Sequence, residues 1–276
     1  MAGFKTPVPE TNFVRLSFPA PRVLLVTMSR PEKLNAMDPT GSEEMSRVFE
    51  WLDQEPNLTV AVLTGSGRAF SAGADLKAWR TSMEPGADPK KRMGNPMSYV
   101  PLSRRKGKKP LIAAVNGLAM GGGCEIAVNS DLVIASKTAY FGLPEVKRGL
   151  SPIAGALPRL IRNIGLQRAS ELALTGKTLS ADQALSWGLI NKVVPESESV
   201  VDEAVKYASE IAVNSPDAII CTRAGLRQGW ESAAVEDAVQ TTLTREFAKL
   251  QEGENILEGL RAFSEKRNPE WKPSKL

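Results

Sequence analysis

Glu125 sits in the run GGGCEIAV (121–128), among small and apolar neighbours, and Glu145 follows 20 positions later in FGLPEVKRGL (141–150). A carboxylate in such company is costly to bury unless it is paired or protonated. Two carboxylates sharing a pocket push their pKa values apart, so that one can take a proton while the other gives one. Each glutamate taken alone could equally be a surface or salt-bridged residue, and the sequence leaves that reading open. The chain contains no histidine. That absence excludes Ser–His–Asp hydrolases, Cys–His proteases and histidine-based metal sites, so acid–base work falls to Asp, Glu, Lys, Tyr, Cys or the backbone. Cys124 and Cys221 are the only cysteines. Two isolated thiols make neither a disulfide framework nor a zinc pattern; no metal site and a reducing, intracellular setting are expected.

The glycines before Glu125 belong to a pattern that occurs twice. VAVLT (60–64) leads into GSGRAFSAGADLKAW (65–79), and LIAAV (111–115) leads into NGLAMGGGCEIAV (116–128). In both, small residues mark the place where a strand turns into a helix. Such residues allow close approach to the backbone, and a helix start leaves its first N–H groups without internal partners. Two such starts facing one point would form a two-donor site for the negative oxygen of an enolate or tetrahedral intermediate. Tight strand–helix packing is the alternative reading of either motif alone.

The elements that must position these groups can be read from periodicity. VLLVT (23–27), VAVLT (60–64), LIAAV (111–115) and LVIA (132–135) read as short buried strands, with helical signals between them. Thr40 with Glu43 and Ser180 with Gln183 fit capping boxes, and Gly188 fits a helix stop. Alternation of this kind predicts an α/β core with mostly parallel strands. Beyond about residue 200 the strand signals fade, and Ser215-Pro216 opens a helical stretch. The expected organisation is a core over 1–199 and a helical region over 200–276 that needs a partner surface. The segment 81–101, rich in proline and glycine, is expected to border a pocket.

Composition is that of an ordinary globular chain, 42% hydrophobic and 24% charged over 276 residues with a net charge of +4. No apolar run approaches the ~18 residues of a membrane span, and the first residues lack a secretory pattern. Arg104, Arg105, Lys106, Lys108 and Lys109 cluster in one run. A solvated loop or a small-polyanion site fits that run better than nucleic-acid binding, because no aromatics interleave.

Six stretches in order resemble the crotonase superfamily of enoyl-CoA hydratases and isomerases. They are RPEKLNAM (30–37), RAFSAGADLKAW (68–79), AAVNGLAMGGGCEIAVNSDLVIAS (113–136), FGLPEVKRGL (141–150), LALTGKTLSADQALSWGLINKVV (172–194) and AFSEKRNPEW (262–271). The resemblance implies a spiral of ββα units, with C-terminal helices that mediate a homotrimer or a dimer of trimers. It also implies an acyl-CoA thioester as substrate and no separate cofactor. By matched position, Ala72 and Gly122 would supply the oxyanion-hole N–H groups, and Glu125 and Glu145 would be the catalytic acids. Arg30, Lys33, Leu34, Ala36, Ala72, Ala74, Asp75, Leu76 and Lys77 would border the coenzyme. Phe263 and Lys266 would reach a CoA site, in some members a neighbour's.

Retention of both glutamates favours hydration over Δ3-Δ2 isomerisation, and argues against a non-catalytic RNA-binding member. Ile153, in SPIAGALPR (151–159), stands where a glycine is usual, so the acyl end is expected to depart from that of straight-chain hydratases. A pathway-dedicated hydratase working toward dehydration, of the mevalonyl-CoA kind, is the nearest rival reading. Ser274-Lys275-Leu276 matches the tripeptide read by the peroxisomal import receptor, and a peroxisomal location is expected.

Overall fold

The computed structural model describes residues 3–83, 100–231 and 234–276. Most of the 81–101 segment lies outside the described residues, and the expectation that it borders the pocket rests on its ends.

Six strands form the main sheet: β1 (Val14–Ala20), β2 (Val23–Met28), β3 (Val60–Gly65), β5 (Leu111–Val115), β7 (Leu132–Ser136) and β10 (Lys192–Val194), in the order β1-β2-β3-β5-β7-β10. Only the β1–β2 hairpin is antiparallel. The apolar runs read from the sequence are β2, β3, β5 and β7, and they are apolar throughout because both faces of this sheet are covered. Alternate residues Leu24, Ala61, Leu63, Ala113, Val115 and Val133 enter one core, while Val23, Val60, Val62, Ile112, Ala114 and Ile134 enter the other.

The second core is closed by α7 (Val200–Ala212), which lays Val200, Ala204, Ala208 and Ala212 on the outer sheet face. The packing therefore does not divide at 199/200. α7 belongs to the core, and the outlying helices begin with α8 (Pro216–Glu231).

The short strands β4 (Ala69–Ser71), β6 (Leu118–Met120), β8 (Tyr140–Gly142) and β9 (Thr178–Ser180) form a second sheet in the order β4-β6-β8-β9. The result is repeated ββα steps. β3 and β4 lead to α2 (Leu76–Met83), and β5 and β6 lead to α3 (Gly122–Asn129). Because β3 pairs with β5 and β4 with β6, the two helix starts arrive side by side.

Side-chain caps set the starts of α1 (Pro39–Gln54), α6 (Ala181–Trp187) and α7. Ser180 and Gln183 form the expected capping box for α6, and Gly188 ends it in the left-handed region. The start of α1 differs from expectation. Asp38, not Thr40, is the N-cap, accepting from Gly41 N–H at 2.9 Å, and Pro39 takes the first helical position where no N–H is needed.

The basic run 104–109 is not a free patch. Arg105 pairs with Asp53 at 2.6 Å, and the buried Lys109 ammonium donates to the carbonyls of Leu52 and Glu55 at the C-terminal end of α1. Lys106 pairs with Glu231 at 3.0 Å but stays exposed, as a solvated loop residue would. The expectation of a solvated loop is thus corrected for Arg105 and Lys109, which join the loop to α1.

Candidate active site

A cavity of about 510 Å³ opens where the two helix starts meet, and Glu125 and Glu145 both line it. Glu125 is in the first turn of α3 and is only 3% exposed. Its Oε1 accepts the Ala156 N–H at 3.2 Å, from the first residue of α4 (Ala156–Ile164). Burial pushes its pKa up to about 7; the Ala156 bond opposes the rise and the neighbouring Glu145 charge adds to it. Glu145 is placed by a single 3₁₀ turn (Pro144–Arg148) that follows β8. Its pKa is also raised by burial, with Arg148 opposing, and its Oε2 is buried without a hydrogen-bond partner. Such an orphaned oxygen costs stability and marks a group kept for chemistry. Burial thus favours the protonated form of both carboxyls, and Glu125 is poised to exchange its proton near neutral pH. Cys124 lies beside them, but burial and the two carboxylates push its thiol far up, so it is inert.

The glycines are required by close approach. A Cβ on Gly121, whose φ is +51°, would lie 2.9 Å from Glu145 Oε1. One on Gly73, at φ +88°, would lie 2.7 Å from the Gly122 nitrogen. No side chain caps α3, and the Gly122 N–H donates to no hydrogen bond among the described residues. It is one free donor on the cavity wall.

The second expected donor is corrected. The Ala72 N–H already donates to the Leu34 carbonyl at 2.9 Å. Two residues on, the chain pairs with Met37 through Gly73 O and Asp75 N–H, which turns Ala74 the opposite way. The Ala74 N–H has no partner among the described residues, and Ala74 lines the cavity. The available pair of donors is Ala74 and Gly122. Alternation of backbone direction across the bridge to Met37 is the signal, and it is visible only once that bridge is known.

The segment facing Ala72 is held in an unusual shape. Leu34 and Asn35 both have positive φ, 53° and 54°, which is strained for non-glycine residues. The fully buried Asn35 side chain over-determines this turn. It donates to the carbonyls of Ser66 at 2.9 Å and Ala69 at 2.8 Å, and accepts from Arg30 N–H at 2.9 Å. Asn35 was not among the expected site residues, since its role is to shape the wall that carries Leu34.

The expected coenzyme-bordering residues are placed differently. Leu34, Ala72, Ala74 and Leu76 line the cavity. Arg30, Lys33 and Asp75 form an ion cluster beside it, with Arg30 2.8 Å from Asp38 and 3.4 Å from Asp75, and Lys33 3.5 Å from Asp75. Asp75 also caps α2 through the Lys77 and Ala78 N–H groups. Ala36 is buried behind the wall and Lys77 is exposed on α2. Phe263, 87% exposed on α11 (Glu254–Glu265), and Lys266 at its end are not brought to the cavity of their own chain. The Ser274 hydroxyl donates to Asp217 and the Lys275 ammonium to Glu254, so the last residues lie along the helical region.

Residues 20–274 match the family model for enoyl-CoA hydratase/isomerase. The chain is 49% identical to the mevalonyl-coenzyme A hydratase sidH of Aspergillus fumigatus, over 97% of this chain and 98% of that one. It is 47% identical to the mevalonyl-coenzyme A hydratase SIDH of Beauveria bassiana over the same shares of each chain. The crystal structure of an enoyl-CoA hydratase from Bacillus anthracis superposes with a TM-score of 0.85 at 30% identity, covering 95% of this chain and 100% of that one. With two free N–H groups and two acids in one cavity, and a match running over nearly its whole length, the chain belongs to the enoyl-CoA hydratase/isomerase family of the crotonase fold.

Proposed function

We propose that this chain interconverts a 3-hydroxyacyl-CoA and the corresponding 2-enoyl-CoA, and that its own substrate is mevalonyl-CoA, taken in the direction of dehydration. The observation that carries the reaction is the shared cavity, in which the buried Glu125 carboxyl and the part-buried Glu145 carboxyl, both of raised pKa, face two backbone donors without partners among the described residues. The thioester carbonyl oxygen accepts from Ala74 and Gly122 N–H, which lowers the energy of the enolate-like charge. In hydration, ionised Glu125 takes a proton from water as the water oxygen bonds to Cβ, and protonated Glu145 delivers a proton to Cα. Dehydration runs the same steps backward: Glu145 removes the Cα proton, and Glu125 protonates the departing hydroxyl.

The likeness to relatives named mevalonyl-coenzyme A hydratases, near half identical over nearly the whole chain, supports the acyl group. So does the cavity wall. Arg148, Ser151 and Thr178 offer polar atoms that a terminal hydroxyl can meet, and the Ile153 side chain stands where straight-chain hydratases have only a glycine. Mevalonyl-CoA, crotonyl-CoA and a 3-enoyl-CoA, each followed at the absorbance of the conjugated thioester, test the reading. The expected order puts mevalonyl-CoA first by kcat/KM. Preference for crotonyl-CoA would refute the acyl assignment, and preference for the 3-enoyl thioester would favour isomerisation.

Assembly and location belong to the same reading. Leu226, Leu257, Leu260 and Phe263 are exposed on α8 and α11, and self-association into trimers would cover them and carry Phe263 and Lys266 toward a neighbour's CoA site. Sedimentation of the protein should give a trimer or hexamer mass. Ser274-Lys275-Leu276 would address the enzyme to the peroxisome. Deleting the tripeptide should leave turnover intact and a tagged protein cytosolic.

A further inference from the structure

Glu125 is held from behind by a closed circuit of contacts running through α3, α8 and α4. At the end of α3, Asn129 presents its backbone and side-chain oxygens to Arg227 of α8, at 2.5 Å and 2.9 Å. The Arg227 guanidinium lies 5.1 Å from the centre of the Trp230 ring, and the Arg159 guanidinium of α4 lies 5.4 Å from it. The Trp230 N–H donates to Asn163, near the other end of α4, at 3.1 Å. Arg159 donates back to the Gly155 carbonyl at 3.0 Å and sits 3.8 Å from Glu231. Gly155, at φ +119°, is the N-cap of α4, and the next residue, Ala156, places its N–H on Glu125.

The Arg159 side chain is 13% exposed, and its Nε is buried with no hydrogen-bond partner among the described residues. What the position does supply is a fixed positive charge within electrostatic reach of Glu125, on the same turn that donates to it. We propose that Arg159 is a positioning residue for the reaction: clamped by Trp230 and Glu231, it holds the Gly155–Ala156 turn on the Glu125 carboxylate. The inference rests on the hydratase reading given above.

The charged groups around this arrangement are few. Glu145 faces Glu125 across the cavity and raises it; Arg159 opposes. Arg159 in turn feels Glu231, Arg227 and Arg104. Removing the Arg159 charge therefore moves the Glu125 midpoint upward and leaves less base at neutral pH.

The full-length chain with Arg159→Gln, Arg159→Lys or Trp230→Leu provides the test, with hydration rates measured from pH 5 to pH 9. In Arg159→Gln the acid limb should move up by about half a pH unit or more. Its kcat at pH 7 should fall by about tenfold, with KM within about twofold of the parent. Arg159→Lys keeps the charge and should restore the limb. Trp230→Leu should lower kcat without moving the limb, because the charge stays while its clamp is lost. An Arg159→Gln limb that coincides with the parent's overturns the proposal, and so does an Arg159→Lys limb displaced as far. If Arg159→Gln does not fold, Trp230→Leu decides, and parental kcat in that variant overturns it. Carbon-13 titration of the glutamate carboxyls, assigned with Glu125→Gln, reads the Glu125 midpoint without any turnover. If the parent hydrates no enoyl thioester, the hydratase reading fails, while the titration still decides the role of Arg159.

Discussion

The two ββα steps that meet at the cavity share one plan, yet their acids have opposite fates. In the first, β3–β4–α2, Asp75 at the helix start accepts the Lys77 and Ala78 N–H groups and faces Arg30 and Lys33. Burial works against its charge, but those bonds and cations win and hold its carboxyl below the usual range. In the second, β5–β6–α3, no side chain caps the helix, the Gly122 N–H has no partner among the described residues, and Glu125 is buried with the Ala156 N–H as its hydrogen-bond donor rather than a paired cation among those residues. There burial wins, and the pKa goes up to about 7. The same scaffold thus gives one supporting half, with its electrostatics satisfied, and one reactive half, with them left open. The difference lies in the neighbours. The first step faces the Arg30–Lys33 turn, and the second faces Glu145 and the start of α4.

If that division is right, its largest consequence is on turnover. Glu145→Gln and Glu125→Gln should each lower kcat for hydration by about 10³-fold or more, while Asp75→Asn stays within about tenfold. Equal losses in all three, in steady-state assays, would break the comparison. Next in size is the donor pair. Gly73→Ala forces a Cβ to 2.7 Å from the Gly122 nitrogen at a left-handed φ, and should lower kcat by about 10²-fold with both acids intact. A variant with parental kcat would show that the junction carries no oxyanion.

Stability separates the halves in sign. A raised carboxyl pKa means the folded state binds its proton more tightly, so Glu125 destabilises the fold increasingly from about pH 4.5, where an ordinary glutamate titrates, to about pH 7. Above that window the cost is constant, on the order of 3 kcal/mol. Glu125→Gln should therefore melt several degrees higher than the parent at pH 8, with the gap closing toward pH 4.5, as read by thermal denaturation. The smallest effect belongs to the supporting half. Asp75→Ala should cost about 1–2 kcal/mol of stability at neutral pH from the lost cap and its ion pairs, a cost that fades as pH falls through the carboxyl's lowered pKa. A stabilising Asp75→Ala would contradict the satisfied electrostatics described here.

Much of this was legible in the chain. Strands β2, β3, β5 and β7 are apolar runs because both faces of the sheet are covered there, and both helix starts carry their small residues in plain view. Glu125 and Glu145 stand out as acids among apolar neighbours. The errors have a common cause. The resemblance points to Ala72 as the second donor, whereas the bridge to Met37 turns the Ala74 N–H to the cavity instead. The 104–109 run looked like a solvated loop, yet Lys109 finds the end of α1, a helix more than fifty residues earlier in the chain. The boundary at 199/200 followed composition, whereas α7 is needed to cover the sheet.

Local pattern by itself determined the four central strands of the main sheet, both ends of α6, the start of α8, the two glycine turns, the absence of histidine chemistry and the ordered motifs of the family. Each depends on neighbours a few residues away. Only tertiary structure decided which N–H groups are free, which carboxyl is paired and which is left buried alone, and that Arg159 of α4 meets Trp230 of α8 behind Glu125. Free donors and shifted pKa values are differences between competing partners, and those partners come from segments that only folding brings together.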